Sequence, residues 1–93
     1  MAYEFEWRRE KGDANLRKHG VSFAEASTVF ADPLAVLVPD PDHSIEKQRY
    51  LVLELSNRRR LLVVAFAERP PRTRLISARA ATRRERRQYE EEA

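Results

Sequence analysis

The 93-residue sequence has no cysteine and only two histidines. Without cysteine, neither a disulfide framework nor a thiolate metal site can stabilise the fold, and two separated histidines make a poor metal cluster. We therefore predict no metal and no cofactor. Long apolar runs are also missing: none approaches the roughly 20 residues that span a bilayer, and the first residues lack the basic-then-apolar pattern of a signal peptide. The sequence predicts a cytoplasmic protein that does not contact a membrane.

The length fits one domain, residues 1–93, with no internal repeat, linker or low-complexity segment. At this size folding buries roughly 60 to 65 per cent of the surface of the unfolded chain, so a second core is excluded. Stability has to come from packing or from a partner.

Charge is unevenly distributed along the chain. The formal net charge is +3, but residues 57–93 hold eleven arginines, no lysine and five glutamates, whereas residues 1–56 are slightly acidic. Arginine presents a planar fork that suits phosphate and carboxylate groups. The late arginines therefore indicate nucleic acid or an acidic protein as partner, with a merely solvated surface as the alternative.

Three segments have the pattern of helices with their caps. Gly20 stands where a left-handed C-terminal cap is expected. Ser22 with Glu25, and Thr82 with Glu85, have the spacing of capping boxes. The predicted helices are 10–19, with Leu16 and Ala14 turned inward, 23 to about 32, ending near Asp32-Pro33, and 83 to about 91.

Five segments have the pattern of strands. Alternating or continuous apolar residues mark them, and Asn57-Arg58-Arg59 marks a hairpin turn between two of them. Pro70-Pro71 predicts a stiff connection, and residues 40–44 have the composition of a surface loop. We expect an α+β fold with a sheet that is antiparallel throughout. The predicted strands are 3–7, 35–38, 50–55, 61–66 and 73–79.

An ordered set of short motifs resembles the BrnT family of bacterial ribonuclease toxins. It spans nearly the whole chain and comprises Phe5-Glu6-Trp7, Lys11, the run Asn15-Leu16-Arg17-Lys18-His19-Gly20-Val21-Ser22-Phe23, Phe30-Ala31-Asp32-Pro33, Arg60-Leu61-Leu62-Val63-Val64, Ile76-Ser77-Ala78-Arg79 and Ala81-Thr82-Arg83-Arg84-Glu85-Arg86.

The resemblance implies a small RelE-like fold, in which two N-terminal helices pack on one face of an antiparallel sheet and a C-terminal helix follows. It also implies an endoribonuclease that halts translation and a BrnA-like ribbon-helix-helix antitoxin as partner. That antitoxin would bind the shared promoter DNA, and a complex with two copies of each chain is expected.

Three positions depart from the family's usual pattern. Arg8 stands where an acidic residue is common, Arg59 lies near a usual glycine, and Pro70-Pro71 replaces a Gly-Asp turn. The first puts the local electrostatics of an active site in doubt, and the other two affect hairpin geometry.

Metal-independent RNA cleavage needs a base for the 2′-hydroxyl, cations for the phosphorane and an acid for the leaving 5′-oxygen. We predict that Arg79, at the end of a strand, and Arg83, at the start of the next helix, bind the scissile phosphate. The alternative for this pair is solvation, or a salt bridge to Glu85 or Glu90.

Three further side chains are candidates for proton transfer. His19 has a suitable ordinary pKa of about 6.5, but at a helix C-terminus it can simply complement the dipole. Glu54, opposite the strand leucines, is a candidate general base or an ordinary polar surface residue. Tyr89 is a candidate acid or base-stacking residue, with anchoring of the last helix as the alternative.

Six other basic residues are predicted to contact the RNA backbone: Lys11, Lys18, Arg60, Arg74, Arg86 and Arg87. The sequence leaves a second function open, a non-catalytic, arginine-rich binding module that docks an antitoxin or nucleic acid. Arg8 favours this alternative.

Overall fold

The structure is a computed structural model that describes residues 4–31, 36–39 and 49–92. Predicted features at Tyr3, at residues 32–35 and in the loop 40–44 lie outside these ranges. The elements in chain order are β1 (Glu4–Glu6), α1 (Arg9–His19), α2 (Phe23–Ser27), a 3-10 helix (Thr28–Ala31), β2 (Val36–Pro39), β3 (Arg49–Leu55), β4 (Leu61–Arg69), β5 (Arg72–Ala80) and α3 (Arg83–Glu92).

Within the described residues the strands form one sheet in the order β1-β5-β4-β3-β2. The predicted α+β architecture is confirmed, but the expectation of a wholly antiparallel sheet is wrong at one edge, where β1 pairs with β5 in parallel. A strand of three residues carries no orientation signal in its own alternation. The parallel pairing lets Phe5 pack on Phe30 while Glu6 lies beside Arg74.

The core lies between the sheet and the first two helices. Strand alternation turns Val52, Val64 and Ala78 into it, and all three are fully buried. The residues that alternate with these along β3 and β4 point to the opposite face of the sheet, which we call the leucine face. They are Leu51, Leu53, Leu55, Leu61, Val63, Ala65 and Ala67. The predicted central strand is confirmed, because residues 61–67 of β4 are all buried.

A bulge in β5 decides which side chains share the leucine face. Ala65 pairs with Ser77, but the next residue, Phe66, pairs with Leu75, so β5 contains one extra residue, Ile76. A bulge of this kind reverses the alternation beyond it. As a result Arg79, opposite Val63, and Arg74, opposite Ala67, both belong to the leucine face.

Helix α1 does not use the apolar residues that we predicted for its inner side. Leu16 is 50% exposed and Ala14 is exposed, so this expectation is wrong. The inward residue is Asn15, whose amide donates to the carbonyls of Val21 (2.8 Å) and Ala78 (2.9 Å) and accepts from the Ala78 N–H (3.1 Å). A buried amide with its hydrogen bonds satisfied holds the end of α1 against β5.

The predicted helix boundaries agree with the structure at their caps. Gly20 adopts the left-handed conformation, with φ of 71°, and Ser22 accepts the Glu25 N–H at 3.0 Å. The second helix is tighter than expected, because its last turn is the 3-10 helix. No described helix has the length and apolarity needed to cross a membrane.

Candidate active site

Arg79 lies near the end of β5, beside the start of α3. Its Nη1 and Nη2 donate to the two oxygens of Glu85, at 2.8 and 2.9 Å, and Nη1 also reaches the Ala80 carbonyl at 3.3 Å. The side chain of Arg79 is nevertheless 40% exposed. The structure therefore contains the Glu85 salt bridge that we considered as an alternative, at a position open to solvent.

Glu85 is held by the turn that begins α3. Its N–H donates to Thr82 Oγ1 at 3.1 Å, and its carboxylate accepts the Thr82 N–H at 2.8 Å, so both halves of the predicted capping box are present. The Arg79 hydrogen bonds lower the pKa of Glu85 to about 2, with further lowering from Thr82. The same bonds raise the pKa of Arg79. Both groups are charged at neutral pH.

The Arg79 guanidinium keeps an unused edge. Of its five N–H donors, three point to Glu85 and Ala80. No described residue accepts from Nε, and one Nη2 hydrogen lies parallel to the Nε hydrogen. This Nε–Nη2 edge has the fork geometry that binds two oxygens of a phosphate.

Tyr89 and Glu54 form a second contact between α3 and the sheet. The Tyr89 hydroxyl donates to Glu54 Oε1 at 2.9 Å. Glu54 is only 5% exposed, and as its cross-strand partner is Leu62 it lies on the helix side of the sheet, opposite the leucine face that bears Arg79. The half-buried Tyr89 therefore anchors α3, and its hydroxyl has a carboxylate partner that can orient it or exchange a proton with it.

His19 and Arg83 lie at the same end of the sheet as Arg79. His19 is exposed at the last residue of α1, and the carbonyl of the next residue, Gly20, accepts from Arg60 Nη2 at 3.1 Å. Arg60 precedes Leu61, whose carbonyl accepts the Ala81 N–H at the entry to α3. Arg83, the first residue of α3, is exposed.

The side chain of Arg60 is held by contacts within the protein. Its Nε donates to Glu25 Oε2 at 2.9 Å, and its Nη2 contacts Glu25 Oε1. Ser56 also donates to Glu25 Oε2, at 2.7 Å. The Arg60 hydrogen bond is the main cause that lowers the pKa of Glu25. These contacts account for Arg60 without a ligand, and its RNA contact stays a prediction.

The other predicted RNA contacts fall into separate groups. Arg86 and Arg87 are exposed on α3, and Lys18 is exposed near the end of α1. Lys11 and Arg74, by contrast, come together at the far end of the sheet. Arg49 and Arg69 join them there, and neither was predicted, because the strand register that brings these four residues together is not visible in the sequence.

The structure shows the positions of Arg8 and Arg59, two residues that depart from the usual pattern of the family. Arg8 is the N-cap residue of α1 and makes no capping hydrogen bond. It therefore lies about 16 Å from His19, since α1 has eleven residues that each rise about 1.5 Å. Arg59 has a φ of 60°, in the left-handed region where glycine is favoured. Neither residue touches Arg79.

Within residues 4–31, 36–39 and 49–92 no three histidine, aspartate or glutamate side chains are grouped as a metal site would require. The geometry instead defines a class of protein: a small α+β domain with a partly exposed arginine fork and a tyrosine–carboxylate pair at the same end of its sheet, on opposite faces.

Comparison with known proteins agrees with this class. Residues 7–85 match the family described as ribonuclease toxin, BrnT, of type II toxin-antitoxin system. Because the match covers most of the sequence, the chain belongs to the BrnT family of ribonuclease toxins, as its motifs predicted. No curated protein matches the chain.

A solved structure has the same fold. The crystal structure of the Brucella abortus ribonuclease toxin BrnT is similar to this chain with a TM-score of 0.68 and 21% sequence identity, and the similarity covers 88% of this chain and 100% of the Brucella chain. At this identity the likeness establishes the fold of the present chain.

Proposed function

We propose that this BrnT-family chain is a cytoplasmic endoribonuclease that cleaves RNA without a metal and thereby inhibits translation. The observation that carries the proposal is the fixed and exposed Arg79, whose Nε–Nη2 edge is available to a phosphate. An oriented guanidinium can stabilise the charge that develops on a phosphorane, the group of interactions that usually contributes most to such catalysis.

The reaction that these residues support begins at the ribose. A base removes the 2′-hydroxyl proton, the 2′-oxygen bonds to phosphorus, and the bond from phosphorus to the 5′-oxygen breaks as an acid protonates that oxygen. The products are a 2′,3′-cyclic phosphate and a 5′-hydroxyl. Arg79 and Arg83 would hold the phosphate, and His19 or Glu54 would accept the proton.

Tyr89 is the group that we assign to the leaving oxygen. Its hydroxyl already donates to Glu54 at 2.9 Å, so the carboxylate can orient it. Where Glu54 has accepted the 2′-hydroxyl proton, the carboxyl group can return a proton to the Tyr89 oxygen as the hydroxyl gives its own proton to the 5′-oxygen. Membership of the family supports a partner as well. We propose a BrnA-like ribbon-helix-helix antitoxin, in a complex with two copies of each chain that binds promoter DNA through the antitoxin.

One observation favours a second function. Because Glu85 occupies one edge of Arg79, the arginine is already neutralised in part. If Arg79 stays paired with Glu85 and never binds a scissile phosphate, the chain is a non-catalytic binding module for an antitoxin or nucleic acid.

The test is incubation of purified protein with total RNA in EDTA. We expect cleavage with 2′,3′-cyclic phosphate ends, and a loss of about 100-fold or more in rate for Arg79→Ala/Arg83→Ala. The control variant Arg9→Ala/Arg17→Ala removes the same charge from exposed positions of α1 and should cleave normally.

Intact RNA with the unaltered chain, alone and with translating ribosomes, would favour the binding module. Cleavage that the Arg79→Ala/Arg83→Ala variant retains in full would show that the phosphate is held elsewhere.

A further inference from the structure

A cationic cavity lies at the end of the sheet opposite Arg79. Its volume is about 220 Å³, and four basic side chains line it: Lys11 from α1, Arg49 from β3, Arg69 from β4 and Arg74 from β5. Four elements thus supply one cation each; Arg69 and Arg74 come from neighbouring strands of one hairpin, and Lys11 and Arg49 from distant parts of the sequence. Sequence patterns alone could not bring them together.

The charge in this cavity is only partly compensated. Glu6 of β1 contacts Arg74 Nη1 at 3.1 Å and Arg69 Nη1 at 3.7 Å. Among the residues that the structure describes, Lys11 and Arg49 have no ion pair. Counted over the described residues, the four cations exceed the one carboxylate that contacts them, and a cleft lined by one sign of charge attracts ions of the other sign.

The cavity and Arg79 share the leucine face. Arg49 and Arg74 both pair with Ala67 on this face. The bulge at Ile76 reverses the alternation of side chains along β5, and Arg79 therefore lies on the same side of the sheet as Arg74. Five steps along β5 lead from Arg74 to Arg79, which separates the two sites by about 16 Å at about 3.3 Å per step. Between them lie the small or apolar side chains of Ser77, Leu51 and Leu53.

We infer that this cavity binds a second backbone phosphate of a single-stranded RNA substrate, several nucleotides away from the phosphate held by Arg79. The inference rests on the proposed function. Two anion sites joined by a largely apolar surface match a polynucleotide, whose phosphates recur at intervals and whose bases present flat π-faces. The site would fix which part of a strand reaches Arg79.

The test compares Lys11→Ala/Arg49→Ala with the unaltered chain, because neither residue has an ion pair in the described residues whose loss would disturb the fold. Arg9→Ala/Arg17→Ala is the control of equal charge. For an oligoribonucleotide long enough to span both sites we expect KM to rise about tenfold with kcat unchanged. For a dinucleotide, which reaches only Arg79, we expect no change.

Binding of a 2′-deoxy oligonucleotide, which lacks the attacking hydroxyl, is measured in parallel. The slope of log affinity against log salt should fall by about 0.7 for each phosphate contact that is lost. This readout keeps the two ideas apart: if the unaltered chain cleaves nothing, the proposed function fails, but binding still tests the cavity.

Equal affinity of the Lys11→Ala/Arg49→Ala variant and the unaltered chain would overturn the inference. So would a loss no larger than that of the control variant. Unchanged RNA affinity with a weakened antitoxin complex would assign the cavity to an acidic protein segment instead.

Discussion

Two glutamates that begin helices with the same sequence signal have different surroundings. Ser22 with Glu25 and Thr82 with Glu85 have identical spacing, and each glutamate pairs with an arginine. Glu85 completes its capping box and binds Arg79 in addition. Glu25 does not reach back to Ser22; its carboxylate contacts Arg60 and Ser56 instead.

Burial and the choice of guanidinium edge separate the two pairs. The side chain of Glu25 is 4% exposed and that of Glu85 is 28% exposed. Arg60 uses its Nε–Nη2 edge for Glu25, whereas Arg79 uses its Nη1–Nη2 edge for Glu85 and keeps the other. The same ion pair can thus join a hairpin to a helix in one place and present an arginine to a ligand in another.

The largest effect that distinguishes the pairs should be on stability. We expect Glu25→Gln to lower the free energy of unfolding by about 2 kcal/mol. An amide oxygen at the Oε2 position can still accept from Ser56 and Arg60 Nε, but the charge is lost and the amide NH2 then faces Arg60 Nη2, a second donor. The matched change Glu85→Gln should cost less than about 1 kcal/mol, because its pair is partly exposed. Chemical denaturation measures both, and equal losses would show that burial does not separate the pairs.

The rate of RNA cleavage should fall more in Glu85→Gln than in Glu25→Gln, the reverse of the order expected for stability. In Glu85→Gln the capping contact with Thr82 can persist, but the charged partner that fixes Arg79 is gone, so we expect kcat/KM for RNA cleavage to fall about tenfold, or about 1.4 kcal/mol. Glu25→Gln, assayed well below its melting temperature, should cleave at the normal rate. Higher activity of Glu85→Gln would mean that Glu85 competes with the phosphate.

Much of this fold is predictable from local patterns. Alternating and continuous apolar residues correctly predicted β3 and β4, and the cap residues correctly predicted where α2 and α3 begin. Which face of α1 is buried was not predictable. The residue that points inward is Asn15, whose hydrogen-bond partner Ala78 is 63 residues away in the sequence. A polar residue that is buried for such a contact carries no periodic signal.

The candidate site was predictable to a smaller extent. Arg79 and Arg83 came from motif resemblance, but whether Arg79 meets Glu85 depends on the turn between β5 and α3, which spacing alone leaves open. Regular alternation would have placed positions 74 and 79 on opposite faces of the sheet. Only the bulge at Ile76 puts Arg74 and Arg79 on one face, so the sequence could not show that the second cationic site shares a face with Arg79.

The smallest expected effect concerns pH. The pKa of Glu85 lies at about 2 in the folded chain and at 4.5 without its partners. Between these values the unfolded state binds more protons, so the stabilisation from Glu85 is fully present above about pH 4.5 and is lost as the pH falls towards 2. Solvent screening at the partly exposed pair limits it to about 1 kcal/mol or less.

Denaturation of the unaltered chain and of Glu85→Gln across this range isolates the contribution, because the other carboxylates titrate in both. The stability difference between the two proteins should shrink to zero at the acidic end. For Glu25→Gln the difference should shrink in the same direction, since the pKa of Glu25 is also lowered. A difference for Glu85→Gln that stays constant with pH would mean that Arg79 gains nothing from the charge of Glu85, and the arginine would then be oriented by the turn alone.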